Sequence, residues 1–196
     1  MKFSEQEIVD CSRSDGCYGG SEFLSFQYIF ENGIGLDRDY PYKSAREKCR
    51  RNEVARSKVN LRGYLIFTGQ ERIKRVLAEL GPVVVRVNAL PFTFQFYKTG
   101  IYDDPTSNAT QVNHAVVLVG YGRDKKTELD FWIVRNSWSR DWGEDGYMKL
   151  AMNSKLFDES WIAFYPLQVE SKENLVIHFI IAAFLIVIVL VLMKTI

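Results

Sequence analysis

VNHAVVLVGYG at residues 112–122 and DFWIVRNSW at residues 130–138 are the two stretches of the chain that say most about its fold. Both are rich in β-branched and aromatic residues, which favour strands, and polar or glycine-containing segments bound them. Three further stretches have the same character: PVVVRVNA at 82–89, GYMKLAM at 146–152 and SWIAFYPL at 160–167. The pattern predicts antiparallel strands throughout the second half of the chain.

Helices are predicted in front of these strands. The first is expected to begin at a capping box of Ser4 with Glu7. The second is expected to start after Ser21 and to end at a glycine cap, Gly33. The third is expected to begin at a capping box of Thr68 with Glu71 and to end at Gly81. Residues 34–63 have the composition of irregular surface chain. Helices followed by strands indicate an α+β protein.

The composition indicates one globular domain, placed at residues 1–170. Of the 196 residues, 47% are hydrophobic and 25% are charged, which is too apolar for a disordered chain. Lys and Arg total 25 against 24 Asp and Glu, so no basic field favours nucleic acid as a partner.

Residues 175–193, LVIHFIIAAFLIVIVLVLM, carry no formal charge. At about 1.5 Å per residue, a helix of this length spans roughly the 30 Å of a bilayer core. We expect a single transmembrane helix here, with 171–174 as a juxtamembrane linker and 194–196 as a short tail. The alternative is a core helix buried by a further domain.

Outside that span the sequence contains one histidine, His114, at the start of a predicted strand, and Asn136 ends the next strand. Adjacent antiparallel strands can place the amide of Asn136 beside the imidazole. A neutral amide oxygen orients an imidazolium without removing its charge, which suits a thiolate–imidazolium pair. Trp138 can shield that hydrogen bond from water, and Trp142 can form an aromatic wall. The alternative is that these are ordinary core residues.

The chain resembles a papain-type cysteine peptidase, the family that contains the cathepsins, from Phe3 to Pro166. The matching pieces are FSEQEIVDC, GCYGG, NGI with DYPY, GPVVVRVNA, YKTGIY, VNHAVVLVGYG, WIVRNSW, WGEDGY and FYP. The resemblance implies the papain-like two-lobe fold, peptide or protein substrates, and no cofactor or metal. It makes His114 the catalytic histidine and Asn136 its orienting asparagine, with Trp138 in a supporting position.

The family's nucleophilic cysteine has no counterpart in the chain. Histidine and asparagine follow that cysteine by roughly 130 to 150 residues, which places it about 16 to 36 residues before Met1. The three cysteines present lie only 65 to 103 residues before His114. We therefore expect a fold that lacks its first segment, and a 196-residue chain that is inactive as it stands. The alternatives are a catalytically inactive, membrane-bound peptide-binding or interaction protein, and an acyl transferase with a similar Cys-His-Asn site.

The same resemblance assigns the other site residues. It implies a disulfide between Cys11 and Cys49, with Cys17 unpaired in this chain. The positions that it assigns to substrate binding are Gly19, Gly20, Ser21, Glu22, Arg86, Asn113, Ala115, Trp142 and Ile162. Among them Glu22 and Arg86 stand where relatives usually place apolar walls of the pocket for the substrate's second residue.

The expected location is a secretory, endolysosomal or extracellular compartment, in a single-pass membrane protein. The implied disulfide requires an oxidising compartment. Asn108 begins an N-glycosylation sequon in a polar segment, which agrees with that location.

Overall fold

The computed structural model describes residues 2–55, 61–105, 112–156 and 162–168. The chain divides into two compact units. The first comprises the described residues of Met1–Leu65 and Phe164–Ile196, and the second those of Ile66–Ala163. Helices dominate the first part of the chain and strands the second, so the α+β prediction is confirmed.

The described helices and strands follow in a simple order. The α-helices are α1 (Glu5–Cys11), α2 (Glu22–Asn32), α3 (Gln70–Glu79) and α4 (Phe92–Gln95). The strands are β1 (Leu61–Phe67), β2 (Val83–Val87), β3 (Ile101–Tyr102), β4 (His114–Arg123), β5 (Asp130–Arg135), β6 (Tyr147–Ala151) and β7 (Ala163–Gln168). Short 3₁₀ helices occupy Gly16–Tyr18 and Arg51–Glu53.

Helix α1 begins at one half of the expected capping box. The hydroxyl of Ser4 accepts a hydrogen bond from the backbone N–H of Glu7 at 2.9 Å. The second bond of a capping box, from the Ser4 N–H to the Glu7 carboxylate, is replaced. The buried Glu7 carboxylate instead accepts from the Tyr28 hydroxyl and the Gly35 N–H, both at 2.8 Å. Helix α2 ends as predicted at Gly33, whose φ of 68° favours glycine.

The core of the first unit joins its helices to its strands. Phe26 of α2 is fully buried, and its ring stacks on Tyr64 of β1 at 6.0 Å and on Phe164 of β7 at 6.4 Å between centroids. Strands β1 and β7 are neighbours. A disulfide between Cys11 and Cys49 links the end of α1 to the loop that follows α2. This is the pairing that the family resemblance implied.

The second unit contains a mixed sheet in the order β2-β4-β5-β6-β3. Strand β4 pairs antiparallel with β2 and β5, and β5 pairs antiparallel with β6. The expectation of purely antiparallel strands was wrong for β3, which pairs parallel with β6 through only two residues. Strand β4 lies between β2 and β5 in this sheet, and Ala115 to Leu118 are at most 1% exposed.

Three features of the sequence prediction need correction. Helix α3 begins after Gly69 without a side-chain cap, so the predicted box of Thr68 with Glu71 is absent. The segment taken as irregular up to residue 63 already contains the start of β1 at Leu61. Helix α4 and strand β3 were missed because both are shorter than the windows in which periodicity is visible.

Within the described residues, no helix is both long enough and apolar enough to cross a bilayer. The expected span at 175–193, its linker and its tail lie outside those residues, as does Asn108.

Candidate active site

The pairing of β4 with β5 brings His114 and Asn136 together. His114 is the first residue of β4, and Asn136 directly follows the last residue of β5. The Nε2 atom of His114 lies 2.9 Å from Oδ1 of Asn136. Only 2% of His114 and 6% of Asn136 are exposed. The two residues that stand 22 positions apart in sequence therefore form one buried polar pair.

The acceptor in this pair fixes which ring nitrogen carries a proton. The carbonyl oxygen of Asn136 has no hydrogen to give, so Nε2 of His114 donates. The same oxygen also accepts from the backbone N–H of Ser137 at 2.7 Å, which holds the amide in its orientation. Nδ1 is consequently the ring nitrogen through which His114 could accept or donate a proton in a reaction.

Trp138 covers the pair, and Trp138 together with Trp142, which packs against it, forms an aromatic wall. The ring of Trp138 lies 4.9 Å from the His114 ring, and Trp142 lies 5.6 Å from Trp138 between centroids. The indole N–H of Trp142 donates to the carbonyls of Phe94 and Gln95 at 3.2 and 3.0 Å. The wall excludes water from the histidine–asparagine hydrogen bond, and the lower local dielectric strengthens that bond.

Asn113 and Ala115 flank the histidine and have structural contacts. The side-chain oxygen of Asn113 accepts from the backbone N–H of Ala89 at 2.9 Å. Ala115 is fully buried and lies opposite Arg86 in the register of β4 with β2. Their assignment to substrate binding stays a prediction.

The glycine pair belongs to the first unit, where Gly19 ends the 3₁₀ helix with a φ of 125°. An added Cβ at Gly19 would meet no atom within 4 Å, so the backbone angle rather than crowding requires glycine. Cys17 lies in the same turn and is a free cysteine of intermediate burial. An open, side-chain-free backbone of this kind can pair with an extended peptide.

The remaining residues predicted to bind substrate lie on or next to different helices and strands. Ser21 is the N-cap residue of α2, and Glu22, its first residue, is fully buried. Arg86 lies in β2 of the second unit and is half-buried. Ile162, directly before β7, is also half-buried. Their roles in a substrate pocket stay predictions.

The described residues contain no group of three or more His, Cys, Asp or Glu arranged to hold a metal ion.

The sequence analysis missed a polar cluster beside the tryptophan wall, formed by Tyr97, Glu144 and Lys149. Burial raises the pKa of Tyr97 to about 12, despite a hydrogen bond from the Lys149 backbone. Burial alone would raise the pKa of Glu144, but hydrogen bonds from Lys149, Gly100 and Thr99 lower it below its usual range. The motif WGEDGY includes Glu144, but the sequence analysis used only its tryptophan, and the motif does not indicate the partners of the carboxylate.

Comparisons with known proteins agree with this geometry. The family model described as papain family cysteine protease matches residues 1–166. The chain belongs to the papain family of cysteine proteases. Mouse cathepsin S is 42% identical over 163 residues, which cover 79% of this chain and 47% of that protein. A cathepsin L-like peptidase of Aedes aegypti is 38% identical over 159 residues, covering 78% of this chain and 46% of that protein.

Solved structures of papain-family proteases show the same fold. Bromelain from Ananas comosus, in complex with the E64 inhibitor, superposes with a TM-score of 0.75 at 35% identity, over 85% of this chain and 78% of that one. The chain spans about half the length of the curated relatives that it matches. Family membership and the papain-like α+β fold with its mixed sheet are therefore established for the matched residues.

Proposed function

We propose that this chain carries the histidine and asparagine half of a cysteine endopeptidase site. The observation that carries the proposal is the buried hydrogen bond between His114 and Asn136 beneath Trp138. Papain-family membership supports peptide or protein substrates. In this reaction a cysteine thiolate attacks the peptide carbonyl, and Nδ1 of the His114 imidazolium protonates the leaving amine. Water then hydrolyses the thioester, with His114 as the base.

The thiolate is proposed to come from a segment that precedes Met1. Cys11 and Cys49 form a disulfide, so neither has a free thiol. Cys17 stands 97 residues before His114, against the roughly 130 to 150 that separate nucleophile and histidine in this family. The glycine pair is proposed to hold the substrate backbone in an extended conformation.

The test begins with the transcript upstream of the Met1 codon, where we expect a coding segment with the nucleophilic cysteine. The encoded protein should hydrolyse unstructured peptides, and an alkylating agent should abolish that activity. His114→Ala should lower kcat by at least about 100-fold, the scale of lost general acid–base catalysis. Asn153→Ala, at an exposed asparagine, is the matched control and should leave the activity unchanged.

A second candidate is peptide binding without hydrolysis, and the absence of a cysteine at the family spacing favours it for the 196-residue chain itself. In that case a stop codon precedes Met1 in frame, and the chain binds labelled extended peptides without cleaving them. Amide transfer to an added amine, with no preference for extended peptides, would instead indicate the acyl transferase.

We further propose that residues 175–193 anchor the protein in a membrane, with the peptidase-like domain in an oxidising compartment. The uncharged 19-residue run supports the anchor, and the Cys11–Cys49 disulfide supports the compartment. Alkaline carbonate should fail to extract the full chain from membranes, and deletion of 175–193 should release it. Glycosidase treatment should increase its gel mobility through Asn108. Extraction by carbonate would contradict the anchor.

The composition of the substrate pocket is proposed from the family positions. Arg86 is expected to favour small second residues in the substrate, because large apolar side chains do not compensate for desolvated charge. Arg86→Ala in the active protein should improve the cleavage of substrates that have a leucine-type second residue. An unchanged preference would show that Arg86 takes no part in the pocket.

A further inference from the structure

The carboxylate of Glu144 ties two turns of the second unit together. Its Oε1 accepts from the Gly100 N–H at 3.0 Å, the Thr99 hydroxyl at 3.1 Å and the Tyr97 hydroxyl at 3.2 Å. The ammonium of Lys149 lies 2.9 Å from Oε2. The carboxylate thus holds the turn at 97–100 against the turn at 142–147.

The turn that carries Glu144 also holds the backbone of Asn136. The Gly146 N–H donates to the Trp142 carbonyl at 2.8 Å, which closes the turn. The Gly146 carbonyl in its turn accepts from the Asn136 N–H at 3.0 Å. A displacement of this turn therefore moves the residue that orients His114.

A second route runs through the aromatic wall. Trp142 belongs to the same turn, and its indole N–H is bound by the carbonyls of Phe94 and Gln95. Its ring contacts Trp138, which lies over His114. Both the amide that binds the imidazole and the ring that covers it thus depend on where this turn lies.

We propose that Glu144 is a positioning residue that fixes Asn136 and Trp138 around His114. The inference rests on the proposed function, because it concerns the same histidine–asparagine pair. The ion pair with Lys149 is not sufficient by itself, since the two side chains are 31% and 41% exposed and a surface pair contributes little. The hydrogen bonds to the 97–100 turn supply the directionality that an ion pair lacks.

A purely electrostatic effect of Glu144 would have a different signature. Removing a carboxylate near an imidazole disfavours the imidazolium, whereas removing an ammonium favours it. Loss of positioning disfavours the imidazolium in both cases, because the amide then binds its N–H less well. Glu144→Gln and Lys149→Gln therefore separate the two explanations by the sign of the change.

The experiment measures the protonated fraction of His114 at one fixed pH, from ring ¹⁵N shifts of the full chain labelled at histidine. We expect both variants to lower the imidazolium-to-imidazole ratio by about threefold or more, a shift of half a pH unit. Glu128→Gln and Lys125→Gln are matched controls, since both residues are exposed on the turn after β4 and carry the same charges. They should leave the imidazolium-to-imidazole ratio of His114 within about 1.5-fold of its value in the unaltered chain.

Thr99→Val provides a milder test if either variant unfolds, because it removes one donor and no charge. It should lower the ratio in the same direction by a smaller factor, with an unchanged far-UV circular dichroism spectrum. Opposite shifts for Glu144→Gln and Lys149→Gln, or an unchanged ratio in folded variants, would overturn the proposal. Failure of the proposed function is separately visible, because the encoded protein would then not hydrolyse peptides, whereas the His114 ratios of these variants would still shift together.

Discussion

The Oδ1 atom of Asn136 accepts two hydrogen bonds, one from His114 Nε2 at 2.9 Å and one from the Ser137 N–H at 2.7 Å. The second bond keeps the amide from rotating, so the oxygen, not the nitrogen, faces the imidazole. A rotated amide would present N–H to N–H and destabilise the imidazolium.

Asn136→Ala should therefore reduce the protonated fraction of His114. A hydrogen bond to a charged group contributes about 1.5 to 3 kcal/mol, which corresponds to roughly 10- to 100-fold in the protonation equilibrium. The ring ¹⁵N shifts measure this ratio directly. Asn153→Ala serves as the control, and a change below about twofold in Asn136→Ala would show that the hydrogen bond has little influence on the ring.

Gly143→Ala should destabilise the chain more than any glycine substitution that meets open space. Gly143 has a φ of 62°, and an added Cβ would clash with the Tyr147 carbonyl oxygen. Gly100 also has a positive φ, of 88°, but nothing lies within 4 Å of its added Cβ. The free energy of unfolding in urea should be about 2 kcal/mol lower for Gly143→Ala than for Gly100→Ala. Equal losses would show that backbone angle alone sets the cost.

Loss of the disulfide should lower stability by about 4 kcal/mol in the chain-entropy description, given the separation of 38 residues between Cys11 and Cys49. The variant with both cysteines replaced by serine should unfold at lower urea concentration. Cys17→Ser is the matched control, because it removes a thiol and no bond. If a reducing agent shifts the unfolding midpoint of the double variant as far as that of the unaltered chain, the shift does not come from loss of the Cys11–Cys49 disulfide.

Alkaline pH should destabilise the fold through Tyr97. Burial raises its pKa from 10.0 to about 12, so the unfolded chain loses this proton first. The contribution of Tyr97 is intact below pH 10 and is lost as pH rises from about 10 to about 12, by roughly 2 to 3 kcal/mol in all. Tyr97→Phe should flatten the decline of unfolding free energy in this interval, although it is less stable at neutral pH through lost hydrogen bonds. Tyr121→Phe, at an exposed ring, should keep the slope of the unaltered chain.

Elements with strong local signals could be predicted from the amino-acid sequence alone. The strand-forming run after His114 forms β4, and the Ser4 cap and the glycine at position 33 bound α1 and α2 as predicted. These depend on neighbours in the chain, through φ preferences, capping and β-branched side chains. The histidine and asparagine could be singled out because each stands at a strand end and because the motifs around them are specific.

The partners of the polar side chains, in contrast, depend on contacts between distant parts of the chain. Glu7 was expected to cap its own helix, but Tyr28 and Gly35 from distant parts of the chain bind its carboxylate. Glu144 likewise binds residues 97–100, more than 40 positions earlier, and no local pattern indicates this. Buried polar groups must find partners wherever the fold brings them, because an unsatisfied one is costly. Local propensity therefore predicts where helices and strands lie, whereas the hydrogen-bond partners that shape the site follow from the packing of the whole chain.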